Sequence, residues 1–171
     1  HPSKGLDVLI KALPLIAHEV NNFITVIAGR GSEAYRRSLI ILARKLKVED
    51  QVRILGYVSE DKKISLLDAS KVFVFPTRHF GEAYPLVIDE AYARGVPIIA
   101  TKVGALPYRV KHMKTGLLIP PNNPSSLAKA VVALLKDDDL LTRIYEELHD
   151  IKGSLSTWKQ VCMKLGSVYE S

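Results

Sequence analysis

The sequence predicts an α/β fold of the doubly wound, Rossmann-like kind: a parallel sheet with helices on both faces. Three observations carry this. The short strand-like runs are apolar throughout, as in Val72-Phe73-Val74-Phe75, where a half-exposed strand would alternate. They alternate along the chain with segments of helical periodicity. Glycine, proline and small polar residues collect where the strand-like runs end.

The elements follow in order. Residues 5–18 place Leu6, Leu9, Ile10, Leu13 and Ala17 at helical spacing. Phe23-Ile24-Thr25-Val26-Ile27-Ala28 is β-rich and ends at Gly29-Arg30-Gly31. Residues 33–46 again read as a helix, and Val52-Arg53-Ile54-Leu55 as a strand closed by Gly56. Ser59 suits an N-cap, with Glu60 and Asp61 in the first turn of a helix reaching Ala69. The strand at Val72–Phe75 stops at Pro76, and a helix over 86–94 is ended by Gly95 and Pro97. Pro97-Ile98-Ile99-Ala100 and Gly116-Leu117-Leu118-Ile119 are two more strands, the second stopped by Pro120-Pro121. Pro124 opens a helix capped by Asn123 and running to Lys136. Residues 137–148 and 157–169 give two further helical stretches, the last placing Trp158, Val161, Leu165 and Tyr169 on a packing face. With no repeat, low-complexity segment or linker, residues 1–171 are expected to form one domain.

Composition narrows the partners. Of 171 residues, 47% are hydrophobic and 25% charged, as in ordinary globular proteins. The single cysteine, Cys162, rules out an internal disulfide, and a reducing, cytoplasmic setting is expected. The net charge of +6 favours anionic partners. The longest basic runs are pairs, Arg36-Arg37 and Lys62-Lys63, without interleaved aromatics, so nucleic acid is not expected. No apolar run approaches the roughly 20 residues that span a bilayer; the charge is compatible with a peripheral place at an acidic membrane surface. His18, His112 and His149 lack ligand spacing and no Cys/His cluster exists, so no metal is expected. The chain opens on His1-Pro2-Ser3 and is expected to be an excised piece or a subunit.

In open parallel sheets, ligands bind at the carboxyl ends of the strands. Here those ends carry Gly29-Arg30-Gly31, Gly56-Tyr57-Val58-Ser59, the segment from Pro76 to Glu82, and the segment from Thr101 to Pro107 with Gly104. Such small and polar loops suit a phosphorylated or nucleotide ligand, although ordinary turns have the same look. Glu82 precedes the helix over 86–94 and Glu90 lies on it. The first-turn amides of such a helix have no internal partners and suit a pyrophosphate. Glu90 can then accept from ribose hydroxyls and Glu82 can reach a sugar. The plainer alternative is that Glu82 and Asp89 are helix-start acids and Glu90 a solvated charge. His79, beside Phe80, reads as a surface histidine, and Gly29-Arg30-Gly31 is too short for a Rossmann fingerprint.

The run Phe75-Pro76-Thr77, then Glu82-Ala83-Tyr84-Pro85-Leu86-Val87-Ile88-Asp89-Glu90-Ala91-Tyr92-Ala93-Arg94-Gly95-Val96-Pro97-Ile98-Ile99-Ala100-Thr101, then Gly104-Ala105-Leu106-Pro107, resembles the C-terminal, donor-binding domain of the family-four glycosyltransferases (glycosyl transferases group 1). Lys4-Gly5-Leu6-Asp7 resembles the family's Lys-Gly loop, Gly56-Tyr57-Val58-Ser59 its loop beside the base, and Thr115-Gly116-Leu117-Leu118-Ile119-Pro120-Pro121 its Gly-x-Leu-Val-Pro-Pro segment. The likeness covers nearly the whole chain.

The resemblance implies one half of a GT-B fold and a retaining transfer of sugar from a nucleotide-diphosphate donor. It implies that Lys4 binds the donor phosphates, Glu82 the donor sugar and Glu90 the ribose. Leu86 and Val87 would offer backbone amides to the pyrophosphate, and Val58 would lie against the base. Arg30 and Gly31 would border the cleft, with Arg30 on phosphate; Thr101 and Gly104 would be secondary lining. Pro85 stands where the family has glycine and has no amide to donate, but suits a first helical position. Tyr108 stands where the family often has Glu. The family's arginine, a few residues before Lys-Gly, and its strand would precede His1. The acceptor site would belong to an N-terminal domain or a partner chain, leaving this chain inactive alone. Rival readings are a subunit of a split glycosyltransferase, a sugar-nucleotide epimerase and a non-catalytic nucleotide-binding module. An epimerase needs acid and base groups of its own in the cleft, and no convincing set is found.

Overall fold

The computed structural model describes residues 1–154. The helix expected over 157–169, with Trp158, lies outside the described residues, as does Cys162. Helices α1 (Leu6–Glu19), α2 (Glu33–Lys45), α3 (Glu60–Asp68) and α4 (Leu86–Ala93) alternate with strands β1 (Thr25–Ala28), β2 (Val52–Gly56), β3 (Phe73–Phe75) and β4 (Ile98–Thr101). A short helix α5 (Leu106–Arg109), strand β5 (Gly116–Ile119) and helices α6 (Pro124–Lys136) and α7 (Asp138–Ser154) follow. Every strand pairing is parallel. α/β is therefore the fold, and nearly every element stands within a residue or two of its expected bounds. The exceptions are α5 and the single 3-10 turns at Pro2–Lys4 and Glu49–Gln51, which sequence reading takes as loop, and α7, which runs six residues past the expected 148.

Local chemistry explains the boundaries. The hydroxyl of Ser59 accepts from the amide of Lys62, and the side-chain oxygen of Asn123 accepts from the amide of Ser126; each satisfies a first-turn donor that the helix itself cannot. Ser32 does the same for Tyr35 at the start of α2. At the start of α1, Gly5 adopts φ +69° with the backbone of Pro76 so close that an added Cβ would sit 1.9 Å from the Pro76 carbonyl oxygen. Only glycine fits there, so the first residues dock against the end of β3.

The sheet falls into two parts among the described residues: β1–β2, and β3–β4–β5 with β4 in the centre. The expectation that all strands are buried on both faces holds for β4, where Ile98, Ile99 and Ala100 are fully buried. In β1 and β2 burial is less complete: Val26 is 42% and Leu55 44% exposed, while Ile27 and Val52 are buried, in a period-two alternation. Among the described residues β1 pairs only with β2 and β3 only with β4, so each keeps one edge unpaired there. The core lies between the sheet and the helices. It holds Ile10, Leu13 and Ile16 of α1, Ile88 of α4, Leu127 and Leu134 of α6, and Ile144 and Leu148 of α7, each 2% exposed or less. α1 packs against both α2 and α6, which carries the core past the break in the sheet. None of the described helices is long and apolar enough to cross a membrane.

Candidate functional site

Parallel pairing puts the carboxyl ends of the strands on one side, and the expected residues gather there in linked pairs. Lys4 and Glu82 are 78 positions apart in sequence, yet the ammonium group donates directly to Glu82 Oε1. The close fit of Gly5 on Pro76 makes this meeting possible. Glu82 is only 8% exposed, whereas the Lys4 side chain is 42% exposed. A nearly buried carboxylate needs charge and hydrogen-bond partners. The hydroxyl of Thr77, 3.1 Å from Glu82 Oε1, is the second. Lys4 Nζ also stands 5.4 Å from the centre of the Phe75 ring.

The loop that carries Glu82 is pinned from below. The amide of Ala105 donates to the Glu82 carbonyl at 2.8 Å. Gly104, at φ +52°, lies so near that an added Cβ would come within 2.4 Å of the same oxygen and 3.0 Å of the Phe80 carbonyl. Thr101 is 1% exposed and its hydroxyl donates to the Thr77 carbonyl. Thr101 and Gly104 therefore support the Glu82 loop from beneath.

α4 begins with two free donors. Pro85 is its N-cap and supplies no side-chain bond, and the amides of Leu86 and Val87 donate to no group of the described residues. Pro85 stands one position earlier than the first helical turn that its ring suggests. Leu86 is 65% exposed, so these donors stand at the surface, at the positive end of the helix dipole. One turn along, Glu90 pairs with Lys63 of α3 at 2.9 Å, and Lys63 also reaches Glu60 at 2.6 Å. Hydrogen bonds to Glu60 and then to Glu90 hold the Lys63 ammonium above its ordinary pKa. Val58 and Ser59 lead directly into α3, so the Lys63–Glu90 bridge ties the loop expected beside a base to the helix expected beneath a ribose. Arg30 stacks on the exposed Tyr57 ring at 4.4 Å, joining the β1 and β2 loops, and Gly31 is exposed beside it.

Sequence reasoning missed four contributors. Lys63 is the partner of Glu90. Thr77 is the partner of Glu82. Arg78 ties the start of the chain to the β3–α4 loop, donating to the Pro2 carbonyl at 2.8 Å, to Asn122 Oδ1 at 3.1 Å and to Asp7. Arg109 pairs with Asp89 of α4 and stacks 3.6 Å from the centre of the Tyr84 ring, bracing the approach to α4 from α5. Lys63, Arg78 and Arg109 carry no spacing signal, because Glu90, Pro2 and Asp89 are distant in sequence; Thr77 stands five positions before Glu82, within the same loop after β3. A cavity of about 450 Å³ lies at the amino ends of β1 and β2, lined by Asn21, Asn22, Phe23, Asp50 and Gln51 among others, and none of the expected residues borders it.

A parallel α/β sheet thus carries, at the helix α4 with its free first-turn amides, one lysine-paired carboxylate before the helix and one on it. The profile of the glycosyl transferases group 1 matches residues 1–149, and the chain belongs to that family. Its similarity to curated proteins points the same way. It is 32% identical over 172 residues to a D-inositol 3-phosphate glycosyltransferase of Corynebacterium glutamicum, covering 98% of this chain and 40% of that protein. It is 38% identical over 143 residues to a GDP-mannose-dependent α-(1-6)-phosphatidylinositol monomannoside mannosyltransferase of Mycobacterium tuberculosis, covering 81% of this chain and 37% of that protein. The chain thus spans about two fifths of the length of these relatives. Among solved structures, it resembles the fold of Anabaena HepE in complex with UDP and glucose, with a TM-score of 0.85 and 22% identity, over all of this chain and 46% of that one.

Proposed function

We propose that this chain is the donor-binding part of a retaining glycosyltransferase, taking a nucleoside-diphosphate sugar whose sugar passes to an acceptor held by another domain or chain. The observation that carries this reading is the placing of a Lys4–Glu82 pair and a Glu90–Lys63 pair about the uncapped start of α4. In this reading the amides of Leu86 and Val87 hold the diphosphate. Lys4 turns from Glu82 to the phosphates and stabilises the negative charge of the departing nucleoside diphosphate. The donor's phosphates are then held by protein groups, with no metal ion required. Glu82 accepts from hydroxyls of the donor sugar, Glu90 from the ribose, and Val58 lies against the base. Retention follows from attack on the face that the leaving phosphate vacates. The names of the similar proteins, one GDP-mannose-dependent and one solved with UDP and glucose, support a nucleotide-sugar donor.

A further domain completes this reading. Among the described residues β1 and β3 each keep an unpaired edge, where a further parallel strand would pair, and this supports a further part beside the present one. The relatives' extra length agrees with this. The chain by itself is then expected to transfer no sugar. Turnover of a nucleotide sugar by the purified chain, followed as release of nucleoside diphosphate in the presence of acceptors, would contradict the two-part reading.

Glu90→Ala tests the ribose role. Lys63 keeps Glu60 as a partner, so the fold should lose little. Nucleoside-diphosphate binding should weaken by about 1–3 kcal/mol, the worth of a charge-assisted hydrogen bond. Unchanged affinity in a calorimetric titration removes Glu90 from the ribose.

A further inference from the structure

Among the described residues, Thr77 is the one fully buried hydroxyl that touches Glu82, and several hydrogen bonds surround it. It is 0% exposed. Its Oγ1 accepts from the amide of His79 at 3.2 Å and has two acceptors for its single proton: Glu82 Oε1 at 3.1 Å and the Ser3 carbonyl at 3.2 Å. The carboxylate is the stronger claimant, since bonds to an ionised acceptor are about twice as strong as neutral ones. The Ser3 carbonyl also receives the amide of Arg78 at 2.8 Å, so it does not depend on Thr77. The Thr77 carbonyl is held in turn by the hydroxyl of Thr101. The two oxygens of Glu82 are treated differently. Oε1 takes both Lys4 and Thr77, while Oε2 accepts from no group among the described residues and is left for a ligand.

We propose that Thr77 is the positioning residue of the donor-sugar contact: its hydroxyl holds Oε1 of Glu82 when Lys4 moves to the donor phosphates, so that Oε2 stays presented to a sugar hydroxyl. This rests on the donor-binding reading above. Lys4 cannot serve Glu82 and a diphosphate equally, and its 42% exposure leaves it free to move. Thr77, buried and β-branched, has no such freedom. Once Lys4 leaves, Thr77 is the remaining side-chain donor to a carboxylate only 8% exposed.

The test separates sugar from nucleotide. Calorimetry on the full chain compares UDP with UDP-glucose and GDP with GDP-mannose, for the wild type, T77S and T77V. T77V replaces the hydroxyl by a methyl of the same shape; T77S keeps the hydroxyl. The ratio of nucleotide-sugar affinity to nucleoside-diphosphate affinity should fall about tenfold or more in T77V, the loss expected of one hydrogen bond to a charged group. Nucleoside-diphosphate affinity should stay within about twofold, and T77S should match the wild type in both. A T77V ratio equal to that of the wild type overturns the proposal, and so does an equal loss of both ligands, which a merely structural residue would give. If T77V does not fold, T77A removes the hydroxyl without adding bulk and is read in the same way. A wild-type chain that binds neither pair of ligands defeats the donor-binding reading itself, and the proposal with it.

Discussion

Gly104→Val is expected to abolish nucleotide-sugar binding and to destabilise the fold by about 1–3 kcal/mol, the typical cost of a residue forced into a sparsely populated backbone region. Two effects act together. Gly104 sits at φ +52°, which a β-branched residue adopts poorly. Its Cβ would also fall 2.4 Å from the Glu82 carbonyl oxygen and 3.0 Å from that of Phe80. Both obstacles are backbone, so the loop from Phe80 to Glu82 has to shift as a unit. That shift breaks the bond from the Ala105 amide and draws the Glu82 carboxylate away from Lys4 and Thr77. Thermal unfolding and nucleotide-sugar titration of the same variant check this. A variant that melts early but binds normally would show that the loop is not coupled to the site.

Lys4→Met is expected to act twice. It leaves the nearly buried Glu82 carboxylate with Thr77 as its remaining side-chain donor, and a buried charged group that loses its partner costs at least about 1–3 kcal/mol. It also removes the cation assigned to the donor phosphates. The double variant Lys4→Met with Glu82→Gln separates the two. Neutralising Glu82 should recover most of the lost stability, because no unpaired charge remains. Nucleoside-diphosphate affinity should not recover, because the amide of glutamine supplies no charge for phosphate. Recovery of affinity in the double variant would mean that Lys4 serves only to neutralise Glu82.

The fold was largely legible because its determinants are local. Ser59 and Asn123 announce helix starts by hydrogen bonds three residues long, and Pro76 and Gly95 stop elements within one or two residues. The Lys4-Gly5 and Glu82–Glu90 segments were legible as motifs, and the structure brings the first onto the second. What was not legible is set by contacts far apart in sequence. Arg78 finds Pro2, Asp7 and Asn122, and Lys63 finds Glu90. A lysine at 63 reads as a surface charge beside Glu60 until folding places α4 next to it. α5 was missed because Pro107 and Gly104 read as loop; Pro107 stands near the first turn of the helix, where its missing amide costs nothing. The break between β1–β2 and β3–β4–β5 was also hidden, since which strands pair is not written in the strands themselves.

The central claim, that the carboxyl edge of this sheet holds a nucleoside diphosphate, is tested most directly by calorimetric titration of the chain with UDP, GDP and ADP. The claim predicts saturable binding, tighter than millimolar, of one nucleotide over the others, weakened in Glu90→Ala. Absence of saturable binding for all three, from a chain shown to be folded, would contradict it.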